Sequence, residues 1–157
     1  MAAASQLIGD IGGTNARFAL ADEKEGFKFE HTLMCAEFES SVAAIRHYLD
    51  MIDAAEPDVI FLAAAGPIVE GTVSFTNNHW VIEVAELQRT FGIEAVSLIN
   101  DFEAIAWSIP ALGADDCITI GLPAPLPLDI ADFSVAVAGP GTGLGAVGLK
   151  KRNGQLF

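Results

Sequence analysis

Basic side chains are scarce in this chain: 8 Lys and Arg stand against 21 Asp and Glu, a formal net charge of −13 over 157 residues. Such a surface repels a phosphodiester backbone, which excludes nucleic acid as a general partner. Long apolar runs are also lacking. The most continuous one, Val59 to Val69, is broken by Gly66 and Pro67 and falls short of the ~20 residues that span a bilayer, so no membrane partner is expected. The N-terminal Met-Ala-Ala-Ala-Ser-Gln sets no basic region before an apolar stretch, which argues against a secretory signal. The 2 cysteines, Cys35 and Cys117, are too few and too far apart for a disulfide framework. They read as buried, reduced thiols, and the protein as cytoplasmic. His31, His47 and His79 show no metal-ligand spacing.

What the chain has is apolar material. Hydrophobic residues make up 52% and charged ones 18%, and the mean hydropathy is +0.42. That is enough for one compact core and excludes intrinsic disorder. Leu7 to Asp10, Arg17 to Ala21 and Lys28 to Cys35 read as three antiparallel strands in succession. Ser40 or Ser41 caps a helix through Ile52, whose apolar stripe is Val42, Ile45, Leu49 and Ile52. Pro57 opens the strand Val59 to Ala65, whose unbroken apolar character suits a central strand covered on both faces. A helix from about Glu83 to Phe91, stopped by Gly92, precedes a buried strand from Ala95 to Ile99. A helix from Phe102 to Leu112, capped by Gly113, and a short strand from Ile118 to Ile120 follow. This alternation predicts an α/β fold. Pro123, Pro125 and Pro127 mark the one obvious linker. The expected domains are therefore 1–120, a linker at 121–131, and a piece of a second domain at 132–157.

The second piece repeats the first. Aligned without a gap, Ile8 to Leu20 and Val137 to Leu149 place Gly12 on Gly141 and share the pattern strand, Gly/Thr-rich turn, strand. The first copy continues into a full set of elements, whereas the second, as given, has no room for one. Turns containing Gly12-Gly13-Thr14 and Gly141-Thr142-Gly143 can aim several backbone N–H groups into one concavity that suits phosphate, although ordinary hairpin turns share this composition. Neither turn is a Walker A loop, because no Gly-Lys-Ser/Thr occurs. Phosphate charge would then fall to backbone dipoles and a divalent cation, which makes Asp10 a candidate to hold Mg²⁺ through water, or else a turn-forming side chain. Gly143, Gly145 and Gly148 fit G-x-G-x-x-G, but that fingerprint needs a following helix and an acidic residue about 20 positions on.

Two further clusters carry chemistry. Asn100-Asp101 stands where a buried strand ends and a helix begins, a place where functional groups face the ligand crevice in open α/β sheets; either residue could equally be a helix cap. Phe75-Thr-Asn-Asn-His-Trp80 combines amides with an aromatic, which suits sugar hydroxyls or a core tryptophan beside a polar turn.

Gly9-Asp-Ile-Gly-Gly-Thr-Asn-Ala-Arg17, Ala65-Gly-Pro67, Thr76-Asn77 with Trp80, Ile99-Asn-Asp-Phe102 and Gly141-Thr-Gly-Leu-Gly145 together resemble the bacterial glucokinase family, of the hexokinase, actin and heat-shock-chaperone ATPase superfamily. The resemblance implies a ribonuclease-H-like mixed sheet with flanking helices, the first domain of an actin-like ATPase fold. It implies ATP-dependent phosphorylation of the glucose 6-hydroxyl, the first step of glycolysis. Asp101 would be the general base, and Asn100, Asp101, Asn77, Gly66 and Pro67 would meet the sugar. Gly9, Asp10, Ile11, Gly12, Gly13 and Thr14, with Gly141, Thr142 and Gly143, would meet ATP, and Asp10 would hold Mg²⁺ through water. Intact members would carry a second domain with a Glu-Gly-Gly-His sugar motif and the adenosine site, and would form homodimers; this stretch contains neither feature, so it is expected to be inactive alone. Two other readings compete: a sugar- or nucleotide-responsive regulator or remnant domain without catalysis, and a metal-dependent nuclease using Asp10 and Asp101, which the charge of −13 opposes.

Overall fold

The computed structural model describes residues 5–22, 26–121, 132–140 and 144–157, which group into two compact units, Met1–Asp101 and Phe102–Phe157. The first is built from β1 (Gln6–Ile11), β2 (Asn15–Asp22), β3 (Gly26–Met34), α1 (Ser41–Met51), β4 (Val59–Ala64), β5 (Thr72–Ser74), β6 (Val81–Glu83), α2 (Val84–Phe91) and β7 (Val96–Asn100). Its main sheet runs β3-β2-β1-β4-β7. The meander β1-β2-β3 is antiparallel, as the alternation predicted, and β1, β4 and β7 are parallel. Ser40 caps α1 by accepting a 3.2 Å bond at Oγ from the Ala43 N–H, and Gly92 ends α2 in the left-handed conformation, φ 66°.

Each parallel step moves one strand in the same direction through a helix. Right-handed crossovers therefore set α1 and α2 on one face of the sheet. Leu7, Ile11, Phe18, Ile60 and Leu62 point to that face and form the core with Ile45, Tyr48, Leu49 and Leu87. β4 is central, but it is not covered on both faces as its apolar run predicted. With both helices on one side, the period-2 alternation leaves Phe61 on the other, 40% exposed. The short hairpin β5-β6, which hydrophobic patterning did not reveal, is entered through Glu70 and Gly71, both at positive φ (50° and 73°), with Val69 and Thr72 exchanging 2.9 Å backbone bonds.

The register of β2 against β3 shifts between Phe18 and Leu20, and Phe29 opposite adopts φ 56°, a conformation that costs a bulky residue energy. The Tyr48 hydroxyl, on the fully buried side of α1, donates a 3.0 Å bond to the Phe29 carbonyl and holds this bulge. Burial pushes the Tyr48 phenol up to about 12. The unfolded phenol ionises near 10, so this stabilisation is complete below pH 10 and is lost as pH rises from 10 towards 12. Tyr48→Phe is expected to cost about 1 kcal/mol at neutral pH and to flatten the alkaline loss of stability. Tyr48 is the single tyrosine, so phenolate absorbance followed alongside denaturant unfolding checks both effects.

In the second unit α3 (Asp101–Ser108), whose first residue closes the first unit, precedes a sheet of order β10-β9-β8, from β8 (Phe133–Pro140), β9 (Leu144–Arg152) and β10 (Gln155–Leu156). Asn153 and Gly154, at φ 50° and 78°, make the two-residue turn from β9 to β10. Ala106 and Ile109 pack on Phe133, Val135, Val137, Val147 and Leu149. The helix expected to reach Leu112 ends at Ser108 and passes into a single 3₁₀ turn, Ile109–Ala111, because Pro110 has no N–H to continue the ladder. Ile118 to Ile120 form no strand; Ile118 and Ile120 are 91% and 93% exposed. Cys117 is exposed rather than buried, whereas Cys35 is buried and both thiols are free. The proline-rich segment lies, apart from Gly121, outside the described residues, and the two units divide ahead of it, between Asp101 and Phe102. Leu144 to Arg152 is a strand, not the helix a dinucleotide fingerprint requires.

The repeat is real as architecture but needs one inserted residue. Leu7 pairs with Leu20 in the first hairpin and Val135 with Leu149 in the second. Leu149 thus corresponds to Leu20 without a gap, but Val135, not Ala136, stands where Leu7 does. Since a one-residue slip moves every side chain to the other face, the extra residue in the second connection is what turns Val135 and Val137 onto their core.

Candidate active site

Register places three turns together. In the parallel ladder Ile11 pairs with Ala64 and Ala64 with Asn100, so the Gly12 turn, the Ala65-Gly66-Pro67 turn and Asn100-Asp101 all leave the same, C-terminal, edge of the sheet. Neighbouring strands are ~4.8 Å apart, which puts the outer two within about 10 Å of each other. In open sheets with parallel strands this edge is where ligands bind.

The first turn is held by its backbone. Gly12 N–H donates to the Asn15 carbonyl at 2.9 Å, and Cys35 N–H to that of Thr14 at 2.9 Å. The Gly12 carbonyl in turn accepts from Asn78 Nδ2 at 3.4 Å and from the Cys35 thiol at 3.8 Å. Burial raises the Cys35 thiol above its ordinary pKa, so it acts here as a small neutral donor. A Cβ on Gly13 would stand 3.2 Å from Asn77 Cβ, so a side chain here would crowd the turn against the loop that carries Asn77. Between these loops lies a cavity of about 470 Å³ lined by Gly13, Thr14, Met34, Cys35, Ala36, Thr76, Asn77, Asn78 and His79.

The 76–80 loop is anchored from beneath. Trp80 is buried, and its Nε1–H and the His79 Nε2–H donate to the same carbonyl, that of Phe38, at 3.0 and 2.9 Å. Trp80 is thus a core anchor rather than a platform for a sugar ring. Asn77 and Thr76 are exposed on the cavity side. Asn78, which stood in the sequence only as one amide of the Phe75 to Trp80 cluster, ties this loop to the glycine turn while its Oδ1 accepts from the Trp80 N–H at 3.0 Å. An Asn whose side chain reaches the amide two residues on is a recognisable turn signal, and it was available in Asn78-His79-Trp80.

Asn100 ends β7 and its Nδ2 donates to the Gly66 carbonyl at 3.1 Å and the Ala64 carbonyl at 3.5 Å, which ties the second turn to the third. Pro67 is exposed beside it. Asp101 is the first residue of α3. Asp10 is exposed and its Oδ2 accepts from Arg17 Nη1 at 3.0 Å, both side chains being about half exposed (54% and 50%). Gly9 lies within β1, where a Cβ would come to 2.7 Å of Leu62 and 3.0 Å of Phe18, and the Ile11 side chain is fully buried. These two can offer a ligand backbone only. Gly141, Thr142 and Gly143 lie outside the described residues.

The glucokinase family model matches residues 7–157. The chain belongs to the glucokinase family. The glucokinase of Caulobacter sp. (strain K31) is 40% identical over 94% of this chain and 45% of its own length, and that of Pseudomonas aeruginosa (strain LESB58) is 41% identical over 88% and 41%. The chain thus spans about half the length of the curated relatives it matches. Among solved structures, a glucokinase from an Antarctic psychrotroph superposes with a TM-score of 0.83 at 36% identity, over 99% of this chain and 49% of that one. A glucokinase of the ROK family from Streptomyces griseus, in complex with glucose and AMPPNP, superposes at 0.62 with 22% identity, over 98% and 46%; at that identity it speaks for the fold alone. The fold is that of the actin-like ATPases, a mixed sheet with flanking helices. No helix among the described residues is long and apolar enough to cross a membrane.

Proposed function

We propose that this chain supplies one wall of a glucose kinase site, in which the γ-phosphoryl group of ATP passes to the 6-hydroxyl of glucose. The observation that carries the reading is the convergence of the Gly12, Gly66 and Asn100-Asp101 turns on one sheet edge. The family supports the reaction, and the Streptomyces griseus structure pairs the fold with glucose and an ATP analogue.

Phosphoryl transfer asks of a protein mainly positioning, charge neutralisation and one group to take the hydroxyl proton. Asp101 takes that proton, from within about 3 Å of the sugar oxygen. Asn100, already fixed on the Gly66 carbonyl, and Asn77, on the cavity wall, meet sugar hydroxyls beside Gly66 and Pro67. N–H groups of Gly13 and Thr14 meet the phosphates, that of Gly12 being held by the Asn15 carbonyl; Gly141, Thr142 and Gly143, outside the described residues, are proposed as a second phosphate contact on the resemblance alone. Mg²⁺ fits this donor set as a cation shared with phosphate: it keeps most of its waters and asks for one or two carboxylates. Asp10 offers one exposed carboxylate beside the turn, and the described residues hold no cluster of three or more metal-ligating side chains that would cage it. When bound, Mg²⁺ would neutralise phosphate charge that Arg17, paired with Asp10, does not.

A sugar site with one wall binds weakly and cannot close to exclude water. The 157-residue chain alone is therefore expected to show no glucose 6-phosphate formation above background in a coupled assay with glucose and Mg-ATP. Added polypeptide carrying the half of a relative that this chain does not match should produce turnover. Full activity of the chain alone overturns the incomplete-site reading; an assembled complex that binds neither glucose nor Mg-ATP overturns the kinase reading.

A further inference from the structure

The N–H groups of the turn after β1 point where its carbonyls let them. In a trans peptide the C=O and the N–H point in opposite directions, so whatever grips the Gly12 carbonyl also aims the Gly13 N–H. Two side chains grip it, Asn78 by Nδ2 at 3.4 Å and Cys35 by its thiol at 3.8 Å. The Gly12 N–H is already taken by the Asn15 carbonyl at 2.9 Å. Gly13 therefore carries the first open N–H of the turn, and its direction is set by residues far along the chain.

Asn78 is itself held in place. Its Oδ1 accepts from the Trp80 N–H at 3.0 Å, and since an N–H can meet only the oxygen of the amide, Nδ2 is the end that faces Gly12. Trp80 is buried, and its indole N–H donates to the Phe38 carbonyl at 3.0 Å. A continuous line of bonds thus runs from the core to the turn. Closing the 76–80 loop needs Oδ1 alone, as in any turn of this kind. The donor end has a separate effect: a hydrogen bond to a carbonyl polarises its peptide and makes the N–H on the other side a stronger donor.

We propose that Asn78 is a positioning residue for the phosphate turn, which holds the Gly12 carbonyl and so aims and strengthens the Gly13 N–H that meets phosphate. The proposal rests on the reading of Gly13 and Thr14 as phosphate contacts. Asn78 itself touches no phosphate, because the N–H that it aims points away from it. Phosphate accordingly lies on the face of the turn directed away from the 76–80 loop.

The test titrates the isotope-labelled chain with Mg-ATP and follows the Gly13 and Thr14 amide resonances. Asn78→Ser keeps an oxygen for the Trp80 N–H but is too short to reach Gly12, whereas Asn78→Ala gives up both bonds. Without ligand, the Gly13 nitrogen resonance is expected to move upfield in both variants as its peptide loses polarisation. The Mg-ATP affinity read at Gly13 and Thr14 should fall about fivefold in both, the effect of one neutral hydrogen bond, while only Asn78→Ala lowers Tm appreciably. Thr76→Ala, at an exposed position of the same loop, leaves resonance and affinity unchanged. In the complex with the unmatched half of a relative, Asn78→Ser is expected to raise the KM for Mg-ATP about fivefold and to leave that for glucose as it was. Asn78→Ser decides the matter should Asn78→Ala not fold, and if neither folds, Asn78 serves the fold alone and the proposal is overturned. Affinity equal in the parent and in Asn78→Ser, or lost only in step with Tm, also overturns it and leaves the phosphate reading standing. If Mg-ATP moves neither amide in the parent chain, the phosphate reading fails and takes the proposal with it.

Discussion

Gly145→Ala is expected to unfold the second unit while the first keeps its own transition. Gly139 and Gly145 are paired directly across the hairpin, and the Phe102 ring lies against both. A Cβ on Gly145 would fall 1.9 to 2.3 Å from three of its atoms, and one on Gly139 would fall 2.7 Å from its tip. No rotamer change of a flexible chain relieves the first clash, because the obstacle is a rigid ring on the first turn of α3. Overpacking of this kind costs 1–3 kcal/mol. A unit whose core, among the described residues, has three fully buried members, Ala106, Phe133 and Leu149, has little stability to lose. Hydrogen exchange at β8 and β9 reads the loss directly, with Gly148→Ala, whose Cβ meets nothing within 4 Å, as the control. Phe102→Ala removes the obstacle, so Gly145→Ala made in that background should cost less than half as much. Additive effects would show that the ring is not the reason for the glycine.

This pair marks where the sequence was legible and where it was not. Gly145 stood out only in the G-x-G-x-x-G match and in the Gly141 to Gly145 motif of the resemblance, and the structure shows a packing requirement from a residue more than forty positions away, beyond the reach of any local pattern. Gly9 is the same case, a motif glycine whose missing side chain makes room for Phe18 and Leu62. Local signals were legible: a serine cap on α1, left open between Ser40 and Ser41, Gly92 after α2 and the meander of β1 to β3 all follow from near neighbours, whereas the cap expected at Gly113 does not form, because the helix before it ends at Ser108. The errors fell where tertiary context decides. Ile118 to Ile120 has strand composition but no strand to pair with among the described residues, and Phe61 has a core residue's chemistry on the sheet face that neither α1 nor α2 covers. For the candidate site, the motif residues stood out in the sequence, but the fastening of one loop to the next did not. The Asn78 bond to Gly12 and the Asn100 bond to Gly66 cross 66 and 34 residues.

The second large effect concerns chemistry. In the complex of this chain with the unmatched half of a relative, Asp101→Asn is expected to lower kcat by 10²- to 10⁴-fold, the contribution of a positioned base, and to leave the KM for glucose within a few-fold. The bound is set from both sides. Positioning and charge neutralisation by the glycine turns are untouched, so the rate should not fall to the uncatalysed level; the carboxamide cannot accept the 6-hydroxyl proton, so the loss should not be trivial. The substitution also separates catalysis from structure. Asp101 opens α3, where a carboxylate favours the helix dipole by about 0.3–1 kcal/mol. Asn keeps the shape and gives up only that term, so the unfolding transition should move little while turnover collapses. Asp101→Glu is the matching test of position: it restores the charge one methylene out of place, and recovery of a small part of the lost rate is expected from a base that must sit within about 3 Å of the sugar oxygen. If the Asn variant keeps a tenth or more of the parent kcat, or loses activity only in step with stability, Asp101 opens a helix and does nothing more.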